Sequence, residues 1–173
     1  MAPPKKTSTD QSERSGSVED APHMEALKKL RIIVRAAQRH SNWIEKQCGV
    51  TGAQLWVLQE LHESPGLRVG DIAARLTIHQ TTASNLVDAL VKKGYVGKAR
   101  NQADQRVVTL TLSRKGEEVI LRAPTPARGL LPDSLQKLDP KRLRDLNKGL
   151  QALIEVIEQA DEYYALEPLP FTL

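Results

Sequence analysis

Along most of this chain apolar residues recur every three or four positions, the period of an amphipathic helix, and between residues 95 and 112 the pattern changes to alternation. His23 to about Gln47 reads as a long helix with Leu27, Leu30, Ile33, Val34, Ala37 and Ile44 as its apolar stripe. Thr51 caps a second helix running to about Glu63, with Leu55, Leu58 and Leu61 turned to the core, and Ser64-Pro65-Gly66 ends it. Leu67 to Val69 is short enough to add one strand to a hairpin further on. Two short helices follow: Ile72, Ala73 and Leu76 mark the first, and Ala83, Leu86, Val87 and Leu90 mark the second, which Gly94 stops. Thr77 and Ile78 leave room only for a tight turn between them, so the pair reads as a helix-turn-helix. Tyr95 to Ala99 then reads as a strand, Asn101 to Asp104 as a turn and Val107 to Leu112 as a second strand, with Val108, Leu110 and Leu112 on one side and Val107, Thr109 and Thr111 on the other. A helix-turn-helix followed by such a hairpin is a winged helix.

Beyond the hairpin, a helix starts at Ser113 or Arg114 and carries Val119, Ile120 and Leu121. Pro124 and Pro126 must break or kink it, because a proline removes a helical hydrogen bond and clashes one turn back. Leu130 to Leu138 can resume as helix. Asp139-Pro140 supplies a cap and a first-turn proline for a last helix, Lys141 to Gln159, whose Leu143, Leu146, Leu150, Leu153, Ile154 and Ile157 form a row suited to a helix–helix seam. Tyr163, Tyr164, Leu166, Leu169 and Phe171 follow, and should pack on the body or on a partner. Residues 1–22, rich in Ser, Thr, Pro and charge, are expected to form a disordered tail. The fold class is therefore mainly α with a small antiparallel β-wing, divided into the tail at 1–22, a helix at 23–50, a winged helix-turn-helix at 51–112 and terminal helices at 113–173.

Composition narrows the function. The chain is 40% hydrophobic but only 3% aromatic, which argues against a stacking platform for single-stranded nucleic acid. No apolar run approaches a membrane span and the start has no apolar signal region, so a cytoplasmic protein without a membrane partner is expected. A single cysteine, Cys48, excludes an internal disulfide and a cysteine zinc cluster, and the four histidines show no metal-ligand spacing. No phosphate-cradling glycine loop, nucleophile elbow or metalloprotease motif is found, so no enzyme, metal or cofactor is expected. Charge points elsewhere. Arg68 to Lys115 holds nine basic and three acidic residues, a net +6 in a chain whose total is +4, leaving −2 for the rest. A basic segment on a slightly acidic body is the footprint of a DNA-binding surface.

The second helix of the pair begins with Gln80, Thr81, Thr82, Ser84 and Asn85, short uncharged side chains able to bond base edges or phosphates from a major groove. The same residues also favour helix starts, so alone they would suit an ordinary solvated face. His79, just before them, is placed for a phosphate. Arg106, past the turn of the hairpin, is long enough to enter a narrow minor groove, where negative potential is enhanced, and Asp104 could hold its guanidinium. Arg100 suits a backbone contact, which positions without reading sequence.

The run resembles the MarR family of bacterial transcription regulators. The resemblance rests on Leu-Trp-Val-Leu-Gln-Glu-Leu (55–61), Asp-Ile-Ala-Ala-Arg-Leu (71–76), Gln-Thr-Thr-Ala-Ser-Asn-Leu-Val-Asp (80–88), Lys-Lys-Gly-Tyr-Val (92–96) and Asp-Gln-Arg-Val-Val-Thr-Leu-Thr-Leu-Ser (104–113), closing on Gly116. It is strongest from about Thr51 to Gly116, with Ser113 where the family has Thr. It implies a homodimer built from the first and last helices, a palindromic double-stranded DNA operator, and the wing roles of Asp104 and Arg106. It also implies an effector, a small aromatic or phenolic acid bound between the dimer helices and the DNA-binding lobe. Arg35, His40, Trp43, Trp56 and Gln59, on the first two helices, are candidates to line that pocket. Pro124 and Pro126 depart from the long unbroken helix usual in the family. Two alternatives stay open: a redox-responsive regulator acting through Cys48, as some members use one cysteine to sense peroxide, and a winged-helix module that binds protein, or DNA without specificity.

Overall fold

The structure, a computed structural model, describes residues 21–100 and 107–173. It is mainly helical with one small antiparallel sheet, as the periodicity predicts. The elements are α1 (Pro22–Cys48), α2 (Gly52–Glu63), α3 (Val69–Leu76), α4 (Gln80–Lys92), β1 (Val96–Arg100), β2 (Val108–Leu112), α5 (Arg114–Arg122), α6 (Leu130–Gln136) and α7 (Pro140–Glu155), followed by two 3₁₀ turns at Glu162–Leu166 and Pro170–Thr172. The chain divides into two compact units between Ile33 and Val34, inside α1. Of the first unit, residues 21–33 are described: the opening turns of α1, with Met24, Leu27, Leu30, Ile32 and Ile33 exposed and a Glu25–Lys29 ion pair one turn apart.

The second unit holds the core. Its deepest side chains are Ile44, Leu55, Leu58, Leu61, Ile72, Leu90 and Leu110, drawn from α1, α2, α3, α4 and β2. Every apolar position that marks α3 and α4 in the sequence is buried: Ile72, Ala73 and Leu76 on one helix, Ala83, Leu86, Val87 and Leu90 on the other. α2 is the central post, closed at its start by a capping box in which the Thr51 hydroxyl accepts from the Gln54 N–H and the Gln54 carbonyl oxygen accepts from the Thr51 N–H. The turn between α3 and α4 is made by Thr77, whose φ of 54° is left-handed, and by buried Ile78.

The structure bears out some of the remaining expectations and corrects others. Leu67–Val69 is not a third strand: two backbone hydrogen bonds join this segment to β2, Leu110 N–H to Leu67 and Gly66 N–H to Leu110, before Val69 enters α3. Of the apolar trio on α5, Val119 is buried, Ile120 is partly covered and Leu121 is exposed. α5 stops at Arg122, just before Pro124, and helix resumes only at Leu130. Asp139 caps α7 through the Lys141 and Arg142 N–H groups, but the helix ends at Glu155, not Gln159, because Val156, Ile157 and Ala160 each donate back only three residues, into tight turns. The expected turn at Asn101–Asp104 lies outside the described residues.

Candidate nucleic-acid interface

α4 is the helix that the sequence puts forward for reading DNA. Its first turn is closed by His79, whose side chain makes no capping hydrogen bond. Gln80, Thr81 and Asn85 are exposed along its start, and Thr82 and Ser84 are half-buried. Burial of Ala83, Leu86, Val87 and Leu90 against the core fixes the helix rotation, and so holds the polar residues outward. β1 and β2 pair in register from Val96–Leu112 to Arg100–Val108, and exposed Arg100 stands at the far end of that ladder. Asp104 and Arg106 lie outside the described residues.

The basic residues divide into two groups. Arg68, Lys92 and Arg100 are exposed. Others serve the fold. Lys98 pairs with Asp88 at 2.6 Å and ties β1 to α4. Lys93 donates to the Gly49 carbonyl and to Gln54, while Lys115 donates to the Lys93 carbonyl and lies 4.9 Å over the Tyr95 ring. Arg75 reaches Glu60 at 3.0 Å and the Ser64 hydroxyl at 3.1 Å.

His79 and Thr82 are not open to solvent on every side. The His79 N–H donates to the Leu166 carbonyl at 3.0 Å, and its ring stacks on Tyr163 with centroids 4.7 Å apart. The Thr82 hydroxyl donates to the Glu167 carboxylate at 3.3 Å. The C-terminal segment thus lies on the start of α4, so the expectation that it packs on the body holds, at a place the sequence does not indicate.

The effector-site candidates separate. His40 and Trp56 line an apolar cavity of about 270 Å³ between α1, α2, α6 and the C-terminal segment. Gln59 borders a shallower hollow beside Pro126 and Arg128. Arg35 and Trp43 line neither, because both are exposed on the face of α1 turned away from Ala37, Ser41 and Ile44. The cation that does border the cavity, Arg128, was not among the candidates. It is bound by Glu60 at 2.8 Å and by Glu63. Glu60 is nearly buried and also accepts from Trp56 Nε1 at 2.9 Å and from Arg75. Burial pushes the Glu60 carboxyl up, but hydrogen bonds from Arg128, Arg75 and Trp56 outweigh it and hold the group below its ordinary range. Gln59 and Arg128 lower Glu63 likewise. The only hint of this cluster in sequence is a carboxylate inside the apolar row Leu58-Gln59-Glu60-Leu61.

Removing Glu60 should therefore be costly. Glu60→Ala strands the indole N–H and takes the shared carboxylate from Arg75 and Arg128, and is expected to cost about 2–4 kcal/mol. Because the folded carboxyls lie below their unfolded value of about 4.3, this stability is fully present above that pH and is lost as pH falls through the folded values. Urea unfolding at pH 7 and pH 4 should show the gap between wild type and Glu60→Ala shrinking at the lower pH; an equal gap at both would contradict the ion-pair account.

Cys48 is buried, and burial raises its thiol pKa against a smaller opposing pull from Arg122. A reactive sensor thiol needs the opposite shift and solvent access. Among the described residues no helix is long and apolar enough to cross a membrane.

Residues 49–107 match the MarR family model. The chain is 26% identical over 126 residues to YsmB of Bacillus subtilis, an uncharacterised HTH-type transcriptional regulator, covering 73% of this chain and 86% of that one. It is 36% identical over 74 residues to the HTH-type transcriptional repressor MdtR of the same organism, covering 43% of this chain and 47% of that one. A MepR-like protein complexed with pseudoligands shares the fold, with a TM-score of 0.55 at 20% identity over 82% of this chain and all of that one.

Proposed function

We propose that this chain is a winged-helix transcription regulator of the MarR family, a homodimeric repressor that leaves a palindromic operator when a small molecule binds. The observation that carries the reading is the exposed start of α4, Gln80, Thr81 and Asn85, held outward on a winged helix within a segment of net charge +6. α4 enters a major groove, and the wing, for which the sequence puts forward Arg106, enters the flanking minor groove. Gln and Asn at such a place suit adenine edges, and threonine methyls suit thymine.

Exposed apolar rows support the dimer. Leu146, Leu150, Leu153 and Ile154 leave a long stripe of α7 uncovered, and Leu27, Leu30 and Ile33 do the same on the opening turns of α1. A monomer rarely exposes such continuous apolar surface. Two-fold symmetry then sets two half-sites about one helical turn, roughly 34 Å, apart. The effector is a small aromatic molecule in the cavity beside His40 and Trp56. The carboxylic acid that the resemblance implies would meet an Arg128 already bound by two carboxylates.

Fluorescence anisotropy on the intergenic DNA beside the chain's own gene tests this, at one fixed salt concentration because phosphate contacts make affinity steeply salt-dependent. The expected result is tight binding of one palindrome by a dimer, weakened by one member of a panel of aromatic acids and their uncharged counterparts. Equal affinity for unrelated duplexes would instead favour a non-specific module.

A further inference from the structure

We propose that residues 161–173 form a strap that competes with DNA for the start of α4, and that an uncharged apolar molecule in the cavity beneath the strap holds it closed. The inference rests on the DNA-binding reading above and names both the effector class and the moving part.

The strap touches two things at once. On one side it lies on α4, through the Leu166 carbonyl bonded to the His79 N–H, the Tyr163 ring stacked on His79, and the Glu167 carboxylate accepting from Thr82. A carboxylate beside the first turn of a helix stands where a DNA phosphate would be bound, at the positive end of the dipole. Thr82 and His79 cannot serve both partners. On the other side Leu169 and Phe171 wall the apolar cavity opposite Ile44, Trp56 and Ile78. The strap is pinned there by the Ser41 hydroxyl donating to the Phe171 carbonyl at 2.6 Å.

The lining sets the ligand's chemistry. Its polar groups are already used: the His40 ring bonds the Pro126 carbonyl at 3.0 Å, Ser41 bonds Phe171, and Arg128 is bound by Glu60 and Glu63. Glu167 also borders the cavity, and among the described residues it has no cationic partner. An anion would meet a largely apolar wall whose arginine is already bound by two carboxylates and whose one lining carboxylate, Glu167, repels it, whereas an uncharged apolar molecule loses nothing there. Such a molecule touches the strap only when the strap is down, so it stabilises that state and lowers DNA affinity. By linkage, DNA weakens ligand binding by the same factor.

N-phenyl-1-naphthylamine and its sulfonated analogue 8-anilinonaphthalene-1-sulfonate make a matched test pair. On the full chain the neutral probe should bind, should weaken DNA binding about tenfold, and should be outcompeted poorly by the anion. Leu130→Trp, which puts an indole into the cavity that Leu130 lines, should abolish probe binding and with it any response of DNA affinity to the probe. Tyr163→Ala/Glu167→Ala, on exposed or half-buried positions, should raise DNA affinity about fivefold or more with no probe present, its fold checked by circular dichroism. Unchanged DNA affinity in that double variant, or stronger binding of the anion, overturns the strap while the regulator reading stands. No DNA binding by wild type or either variant overturns both.

Discussion

Gly116→Ala should unfold this protein more readily than any other single-methyl addition to its described glycines, by about 3 kcal/mol. A Cβ at that position would lie 2.3 Å from the Tyr95 carbonyl oxygen and 3.2 Å from Leu112 Cδ2. The oxygen is backbone, and it already accepts the Ser113 N–H at 3.0 Å, so it cannot swing aside without loosening the joint between α5 and the entrance to β1. Ser113 adds to that joint, donating to the Gly94 carbonyl at 2.7 Å while accepting from the Gly116 N–H. A loss of about 3 kcal/mol lowers the melting temperature by roughly 6–12 °C in a chain of this size. Gly149→Ala, on α7 with nothing within 4 Å of the new methyl, is the control and should be neutral or slightly stabilising. Equal melting temperatures for the two variants would show that the joint yields freely.

Arg106→Ala should leave melting unchanged and remove most operator affinity. Each arginine lost from a groove costs about 1–3 kcal/mol, and the proposed dimer would lose two, so affinity should fall at least roughly 30-fold. The loss should be accompanied by a shallower salt dependence, because fewer phosphate-bound cations are released. Wild-type affinity in this variant would take the wing out of the interface and leave α4 to carry recognition alone.

Much of this architecture was legible because burial and periodicity agree. The α3 and α4 rows are short, regular and wholly buried, so the pattern gives both the helices and their rotation. α1 and α7 show the limit of the same argument. Their rows are equally regular, yet Leu27, Leu30, Leu150 and Leu153 stay exposed, because periodicity shows which face is apolar and says nothing of whose surface covers it. Charge was legible only as a sum. The count of nine basic residues treats Arg75, Lys93, Lys98 and Lys115 as DNA-facing, whereas the fold spends them on Glu60, Gln54, Asp88 and Tyr95. Long-range polar contacts were the least legible. Nothing local links Arg128 to Glu60 across 68 residues, or Glu167 to Thr82 across 85, and both pairings change what the cavity and the recognition helix can bind.

The most direct measurement is a dimethyl sulfate methylation-protection footprint, which reads guanine N7 in the major groove and adenine N3 in the minor groove, of the protein on DNA selected from a random pool. Sequence-specific reading by paired winged helices predicts a palindrome enriched by selection, with two protected major-groove patches about one helical turn apart and lighter minor-groove protection outside each. A pool that stays random, with protection spread evenly along the duplex, would contradict the account.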